Sequence, residues 1–300
     1  MNQPHLGPVV GATLLTSDIQ KASAHYQSGM GYTLAREEQV TQQLCDLWRT
    51  PRLLGNPMQL FSGDNEHQWL RLIEDKNCAA TLPLKTQGWM ALEVNVANVD
   101  IIHQDIDKSA FTIIGEPAYL QISDAIKAMQ VIGPCNEVSY ITQIDKPVPP
   151  FSLPMTTARL GSLFIPVLCT QDRDASLAFY EALNQFSGLK FDTKVTVLNN
   201  AWGHDIEHQY PVATLQLAGN CLFEIDEVCE ASPLTRNPGS LPSGISMITC
   251  MVDDVSRIAR HYKVPLSHIE NAYYPSTKVI MLNGPAGELI ELVERPSKAD

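Results

Sequence analysis

The stretch Asn283-Gly284-Pro285-Ala286-Gly287-Glu288-Leu289-Ile290-Glu291-Leu292-Val293-Glu294 decides how this chain is read. A Gly/Pro turn runs straight into a strand. Pro285 fixes φ at the turn entrance, and Gly287 suits a turn position with positive φ. Beyond the turn, Leu289, Glu291 and Val293 share one face of the strand, and Ile290 and Leu292 share the other. Glu291 is therefore a carboxylate inside an apolar strand. Burying it is costly unless something pairs with it, and a metal ion is one such partner. An echo, Ile132-Gly133-Pro134-Cys135-Asn136-Glu137-Val138-Ser139-Tyr140-Ile141, closes the first half of the chain. There Tyr140 stands where Glu291 stands in the later copy.

Working outward, 300 residues accommodate one large domain or two ordinary ones, and 44% apolar residues suffice for a full core. No apolar run is long enough to span a bilayer, and the N-terminus lacks the basic and apolar parts of a signal peptide. The expected location is cytoplasmic, with no membrane partner. Seven cysteines without a C-x-x-C pair argue against a disulfide framework or a zinc knuckle. A net charge of −12 with no basic patch argues against a nucleic-acid partner.

Taken in order, residues 9–17 read as a strand, Asp18 as a helix N-cap, and residues 19–26 as a helix closed by Gly29 and Gly31. Strands are expected over 32–40, 42–48 and 69–74. The pattern restarts with a strand at 89–96, an Asn98 cap, a helix over 99–108, and strands near 111–115, 118–122, 125–132 and 137–143. A stiff proline-rich linker occupies 147–157. A third round has a strand at 163–170, a cap at Asp172 or Asp174, a helix through Tyr180, and strands near 193–198, 213–217 and 220–226. A fourth has a strand at 245–252, a cap at Asp253-Asp254, a helix through Tyr262, strands near 269–273 and 278–282, and then the opening stretch. Four βαβββ rounds are an internal repeat. They predict an α+β chain of two domains, 1–146 and 158–300, each a pair of modules curved around a cleft.

This layout resembles the vicinal oxygen chelate superfamily, which includes glyoxalase I, bleomycin-resistance proteins, fosfomycin-resistance enzymes and extradiol dioxygenases. The matching residues are Asp172-Arg173-Asp174-Ala175-Ser176-Leu177-Ala178-Phe179-Tyr180, Met251-Val252-Asp253-Asp254-Val255, and Gly284 through Leu292. Four modules in one chain look most like the extradiol dioxygenases. The resemblance implies metal ligands on the first and last strands of each module. By position these slots are Gly11, Arg71, Ala91 and Tyr140 in the first half, and Ile165, Glu224, Met247 and Glu291 in the second. Segments 163–170 and 245–252 contain no His, so a 2-His-1-carboxylate iron site lacks two of its three ligands.

Glu224 and Glu291 remain as candidates to hold a hard divalent cation, or to act as an acid/base pair. Arg71, Glu93, Asn95 and Tyr140 would line a polar first-half cleft, with Arg71 gripping a carboxylate or phosphate. An internal Arg71–Glu93 pair filling the metal's former place is the bland alternative. His204 and His208 form a reserve metal pair on a loop. The leading expectation is a cofactor-free chain that binds a small organic molecule, with homodimerisation left open. A metal-dependent lyase or dioxygenase-like enzyme and a non-catalytic interaction module are the alternatives.

Overall fold

Glu288 folds back over the turn that precedes it, and this explains the Gly-Pro-x-x-Glu signature. A Cβ on Gly284 would lie 1.9 Å from Glu288 Oε1, and one on Gly133 would lie 1.7 Å from Glu137 Oε1. Only glycine fits beneath the folded carboxyl. The left-handed position two residues before each strand is Gly287 in one copy (φ +82°) and Asn136 in the other (φ +59°). Asparagine tolerates that region better than most side chains.

The computed structural model describes residues 3–65, 67–120, 123–271 and 273–296. Module one runs β1 (Leu6–Thr16), α1 (Ile19–Met30), β2 (Thr33–Gln39), α2 (Gln42–Trp48), β3 (Pro57–Ser62) and β4 (Leu70–Glu74). Module two runs β5 (Gly88–Asn95), α3 (Val99–Asp105), β6 (Thr112–Leu120), β7 (Ser123–Ile132) and β8 (Val138–Ile144). Module three runs β9 (Leu163–Thr170), α4 (Arg173–Asn184), β10 (Leu189–Thr193), α5 (Thr196–Trp202), β11 (Tyr210–Leu217) and β12 (Cys221–Glu227). Module four runs β13 (Gly244–Val252), α6 (Val255–Tyr262), β14 (Ser267–His268), β15 (Lys278–Asn283) and β16 (Leu289–Glu294). The end of the strand expected at 118–122 lies outside the described residues.

The helix caps fall where expected. Asp18 accepts from Lys21 N, Asn98 from Ile101 N, Asp172 from Ala175 N and Asp254 from Arg257 N. Three expected strands are corrected. Residues 42–48 form a helix: Thr41 caps it, and Leu44, Leu47 and Trp48 bury one helical face. The strand expected at 193–198 ends at Thr193, and α5 begins at Thr196. Of the segment expected as a strand at 269–273, residues 269–271 and 273 lie between β14 and β15 outside any strand, and residue 272 lies outside the described residues.

The pairing of modules also differs from the division at 147–157. One eight-stranded sheet has the order β14-β15-β16-β13-β1-β4-β3-β2, and the other β10-β11-β12-β9-β5-β8-β7-β6. Module one therefore joins module four, and module two joins module three. The proline-rich segment lets β9 return antiparallel beside β5. Once those edges are paired, β1 and β13 have only each other to cover the edges that β4 and β16 leave open. The two sheets share one central apolar core that draws on all four modules.

The folded turns join the two sheets. Tyr26 on α1 donates to Glu137 Oε1 at 2.5 Å, and Tyr180 on α4 donates to Glu288 Oε1 at 2.7 Å. Each tyrosine sits eight residues after its N-cap aspartate and reaches a glutamate of the other sheet. Removing a donor from a buried carboxyl costs about 1–3 kcal/mol. Tyr26→Phe and Tyr180→Phe should each lower stability by that amount in urea denaturation, with unchanged far-UV circular dichroism.

Candidate functional site

Both sheets curl, and each presents its four expected slots on its inner face. The two cups correspond residue for residue. In the first, Thr13 lies beside Arg71 and Met247, and Thr249 lies beside Glu291. In the second, Glu93 lies beside Tyr140 and Ile165, and Val167 lies beside Glu224. Because modules pair one-with-four and two-with-three, the slots regroup. Glu224 and Glu291 belong to different sheets and do not form a pair. Arg71 is likewise separated from Glu93 and Tyr140, so the expected first-half cleft does not form.

The first cup is closed around an ion pair. Arg71 Nη2 meets Glu291 Oε2 at 2.9 Å, and both side chains are 0% exposed. The guanidinium spreads its other donors: Nε to Thr13 Oγ1 at 2.8 Å and Nη1 to the Tyr274 hydroxyl at 3.0 Å. Glu291 also accepts from Trp48 Nε1 at 2.6 Å, Thr249 Oγ1 at 2.7 Å and the Tyr274 hydroxyl at 2.7 Å. Trp48 and Tyr273 lie over the guanidinium, 4.7 and 4.1 Å from ring centre to Cζ. Burial pushes the Arg71 pKa down, but Glu291 and the two tyrosines more than reverse this, so the group stays charged. A Cβ at Gly11 would sit 1.9 Å from the Tyr273 hydroxyl, so the glycine there makes room for the plug. A separate apolar cluster, including Leu44, Trp48, Ile269 and Val279, fills the rest of this cup.

The second cup lacks these plugs. Trp202 ends α5 as Trp48 ends α2, but its indole donates to Leu84 O at 3.1 Å and stacks beneath Lys85. Module two has the β6–β7 hairpin where module four has the Tyr273-Tyr274 loop. What remains is acidic. Glu93 is buried and accepts from Thr142 Oγ1 at 2.6 Å. Glu224 is partly exposed, and Asp226, two residues on and facing the same way, is 0% exposed. Both Asp226 oxygens, the Tyr140 hydroxyl and Thr214 Oγ1 are buried without a hydrogen-bond partner among the described residues. Burial, then the Glu224 charge, pushes Glu93 up to about 8, against the Thr142 bond. Burial raises Glu224 to about 7, and burial with Glu224 beside it holds Asp226 well above the carboxylate range.

Solved structures match this architecture along its whole length. A glyoxalase I variant from Zea mays aligns with TM-score 0.65 at 14% identity, covering 97% of this chain and 94% of its own. A putative dioxygenase from Bacillus subtilis aligns with TM-score 0.66 at 8% identity, covering 99% and 87%. The cppA protein from Streptococcus pneumoniae aligns with TM-score 0.53 at 10% identity, covering 97% and 100%. The chain has the vicinal oxygen chelate fold. No protein-family model matches it, and no curated protein sequence does.

A vicinal oxygen chelate fold implies a metal at the slots, and these residues do not fit one. The first cup offers Gly11, Arg71, Met247 and Glu291, and its single carboxylate is already held by a guanidinium. The second offers Ala91, Tyr140, Ile165 and Glu224. Among the described residues, no three His, Cys, Asp or Glu side chains converge as a metal site. His204 and His208 lie on a loop, as expected, with ring centres 4.4 Å apart; His204 meets the Tyr210 hydroxyl at 2.9 Å and Glu230 at 3.3 Å. The Asn95 amide is taken up by the chain that follows β8: it accepts from Ser162 N at 2.8 Å and donates to Pro154 O at 3.3 Å, pinning the linker. The expected Arg71–Glu93 pair is replaced by Arg71–Glu291.

Sequence reading missed Asp226, Thr214 and the Tyr273-Tyr274 plug. The Glu224-Ile225-Asp226 alternation and the matching tryptophan-ended segments at 48 and 202 were the available signals. Removing one member of a buried ion pair costs about 3–5 kcal/mol. Arg71→Met should destabilise by that amount in chemical denaturation. Arg71→Lys should recover little, since an ammonium cannot reproduce the three-way fork.

The acids predict an inverted pH profile. An unfolded glutamate titrates near ~4.3, whereas Glu93 and Glu224 titrate near 8 and 7 when folded. Between these limits the folded chain holds protons that the unfolded chain has lost. Stability is therefore full below the unfolded value and falls as pH rises through the folded ones. Urea midpoints should drop from pH 5.5 to 8.5, and the Glu93→Gln/Glu224→Gln double variant should flatten the slope.

Proposed function

We propose that this protein binds a small organic molecule in the second cup without a metal, while the first cup serves only as structure. One observation carries this reading. The first cup satisfies Arg71 and Glu291 internally, whereas the second leaves Tyr140, Thr214 and Asp226 with buried polar atoms that have no partner among the described residues. Buried polar groups are normally hydrogen-bonded, and a site that leaves several unpaired is built for something that pairs them. Glu224, partly exposed at the same cup, marks the approach from solvent.

The raised acids favour a second reading, an acid/base enzyme on the same ligand. A carboxyl titrating near neutrality is matched to proton transfer at physiological pH. In this reading Glu224 is the base, and no step needs a metal. The interaction-module alternative draws little support: the exposed large apolar side chains, Leu54, Leu82, Ile101, Tyr119, Met155, Leu189 and Ile206, stand singly along the chain.

Elemental analysis and thermal-shift screening test the proposal together. The purified protein should carry well under one divalent ion per chain. Some organic compound should raise the melting temperature of the wild type but not of Glu224→Gln. One tightly held divalent ion per chain, lost in Glu224→Gln, would replace it with a metal reading. If the bound compound turns over, a rate rising with pH around 7 would identify Glu224 as the base.

A further inference from the structure

The first cup shows what this geometry uses to hold its carboxylate. Glu291 is met by a planar nitrogen cation, Arg71, whose donors also reach Thr13 and Tyr274. In the second cup Glu224 takes the place of Glu291, and Tyr140 takes the place of Arg71. The cation is gone, yet the acids have multiplied to Glu93, Glu224 and Asp226. Among the described residues, none of the three makes an ion pair with Lys, Arg or His.

Resting on the function proposed above, we propose that the second cup takes an organic nitrogen cation, a guanidinium, amidinium or primary ammonium on a small molecule, in the place that Arg71 fills in the first. The unpartnered atoms define this chemistry. Two Asp226 oxygens are acceptors, and the Tyr140 and Thr214 hydroxyls can accept as well. A guanidinium brings five N–H donors and no acceptor, and an ammonium brings three. A carboxylate or phosphate ligand would instead meet three acids and no base. A metal ion needs oxygens gathered around a point, and the described residues offer no such group. An organic cation can distribute its donors over oxygens that do not converge. It would also convert raised carboxyls into paired carboxylates, which is the form Glu291 already has. The other titratable groups that interact with this set are Tyr140 on β8, Cys169 on β9 and Tyr210 on β11, and none supplies a positive charge.

Thermal shift at pH 8 with matched probes tests the assignment. Agmatine, benzamidine and tyramine are the cations, benzamide and 4-ethylphenol the neutral controls, benzoate the anion, and Mg²⁺ and Mn²⁺ the metals. At least one cation should raise the melting temperature by about 2 °C or more, with no response to its neutral or anionic match. The response should vanish in Glu224→Gln. Tyr140→Arg should carry its own cation into the cup, melt higher than the wild type and ignore the probes. Neutral probes that act as strongly as cations, and lose their effect in Glu224→Gln, would overturn the cation but leave the cup as the binding site. Metal ions alone raising the melting temperature, with loss in Glu224→Gln, would overturn it in favour of a metal. Shifts that persist unchanged in both Glu224→Gln and Tyr140→Arg would place binding elsewhere and remove the underlying reading as well. Silence from every cation, with Tyr140→Arg melting no higher, would overturn the assignment too.

Discussion

The Arg71–Glu291 pair is the constraint around which the first cup is arranged. Two charges without solvent are tolerable only if every donor and lone pair is used. This requirement dictates the surroundings. Thr13 and Thr249 come from the central strands, Trp48 from a helix that ends inside the cup, and Tyr274 from the loop between β14 and β15. Gly11 has no side chain because Tyr273 stands over it. A guanidinium thus occupies the middle of the cup, where the sequence resemblance implies metal ligands.

The second cup is the same device with its plug withdrawn. Its strands keep the register, but among the described residues the aromatic lid has no counterpart inside it: Trp202 leans on Leu84 and Lys85, and the β6–β7 pair stands in place of the tyrosine loop. Electrostatics diverge accordingly. One cup holds a neutralised pair in a closed apolar shell, and the other holds three acids that favour their protonated forms. One cup closes on its own ion pair, and the other leaves buried polar atoms unpaired among the described residues.

Much of this was legible in the sequence. The four-module repeat, the helix caps and the Gly-Pro turns depend on local chemistry, and they stand as read. The absence of His from residues 163–170 and 245–252 was equally plain. The partners were not legible. Glu224 and Glu291 look like a pair in the sequence because they share a half of the chain, yet strand edges far apart in sequence decide which cup each enters. The helix at residues 42–48 was hidden for a different reason. Its Leu44, Leu47 and Trp48 fit helical spacing, but in so short a segment the pattern competes with a strand reading.

The cross-ties from Tyr26 to Glu137 and from Tyr180 to Glu288 have a consequence for how the molecule can come apart. Each half of the chain owns one helix tyrosine and one turn glutamate, and in both halves the two serve different sheets. Tyr26 and Glu137 lie together in the first half; Tyr180 and Glu288 lie together in the second. Each half therefore clasps itself, yet leaves the central strands β1 and β5, or β9 and β13, without neighbours on one side. Severed at the proline-rich segment, the halves would be a matched couple, each able to template the other's open edges and neither complete without it.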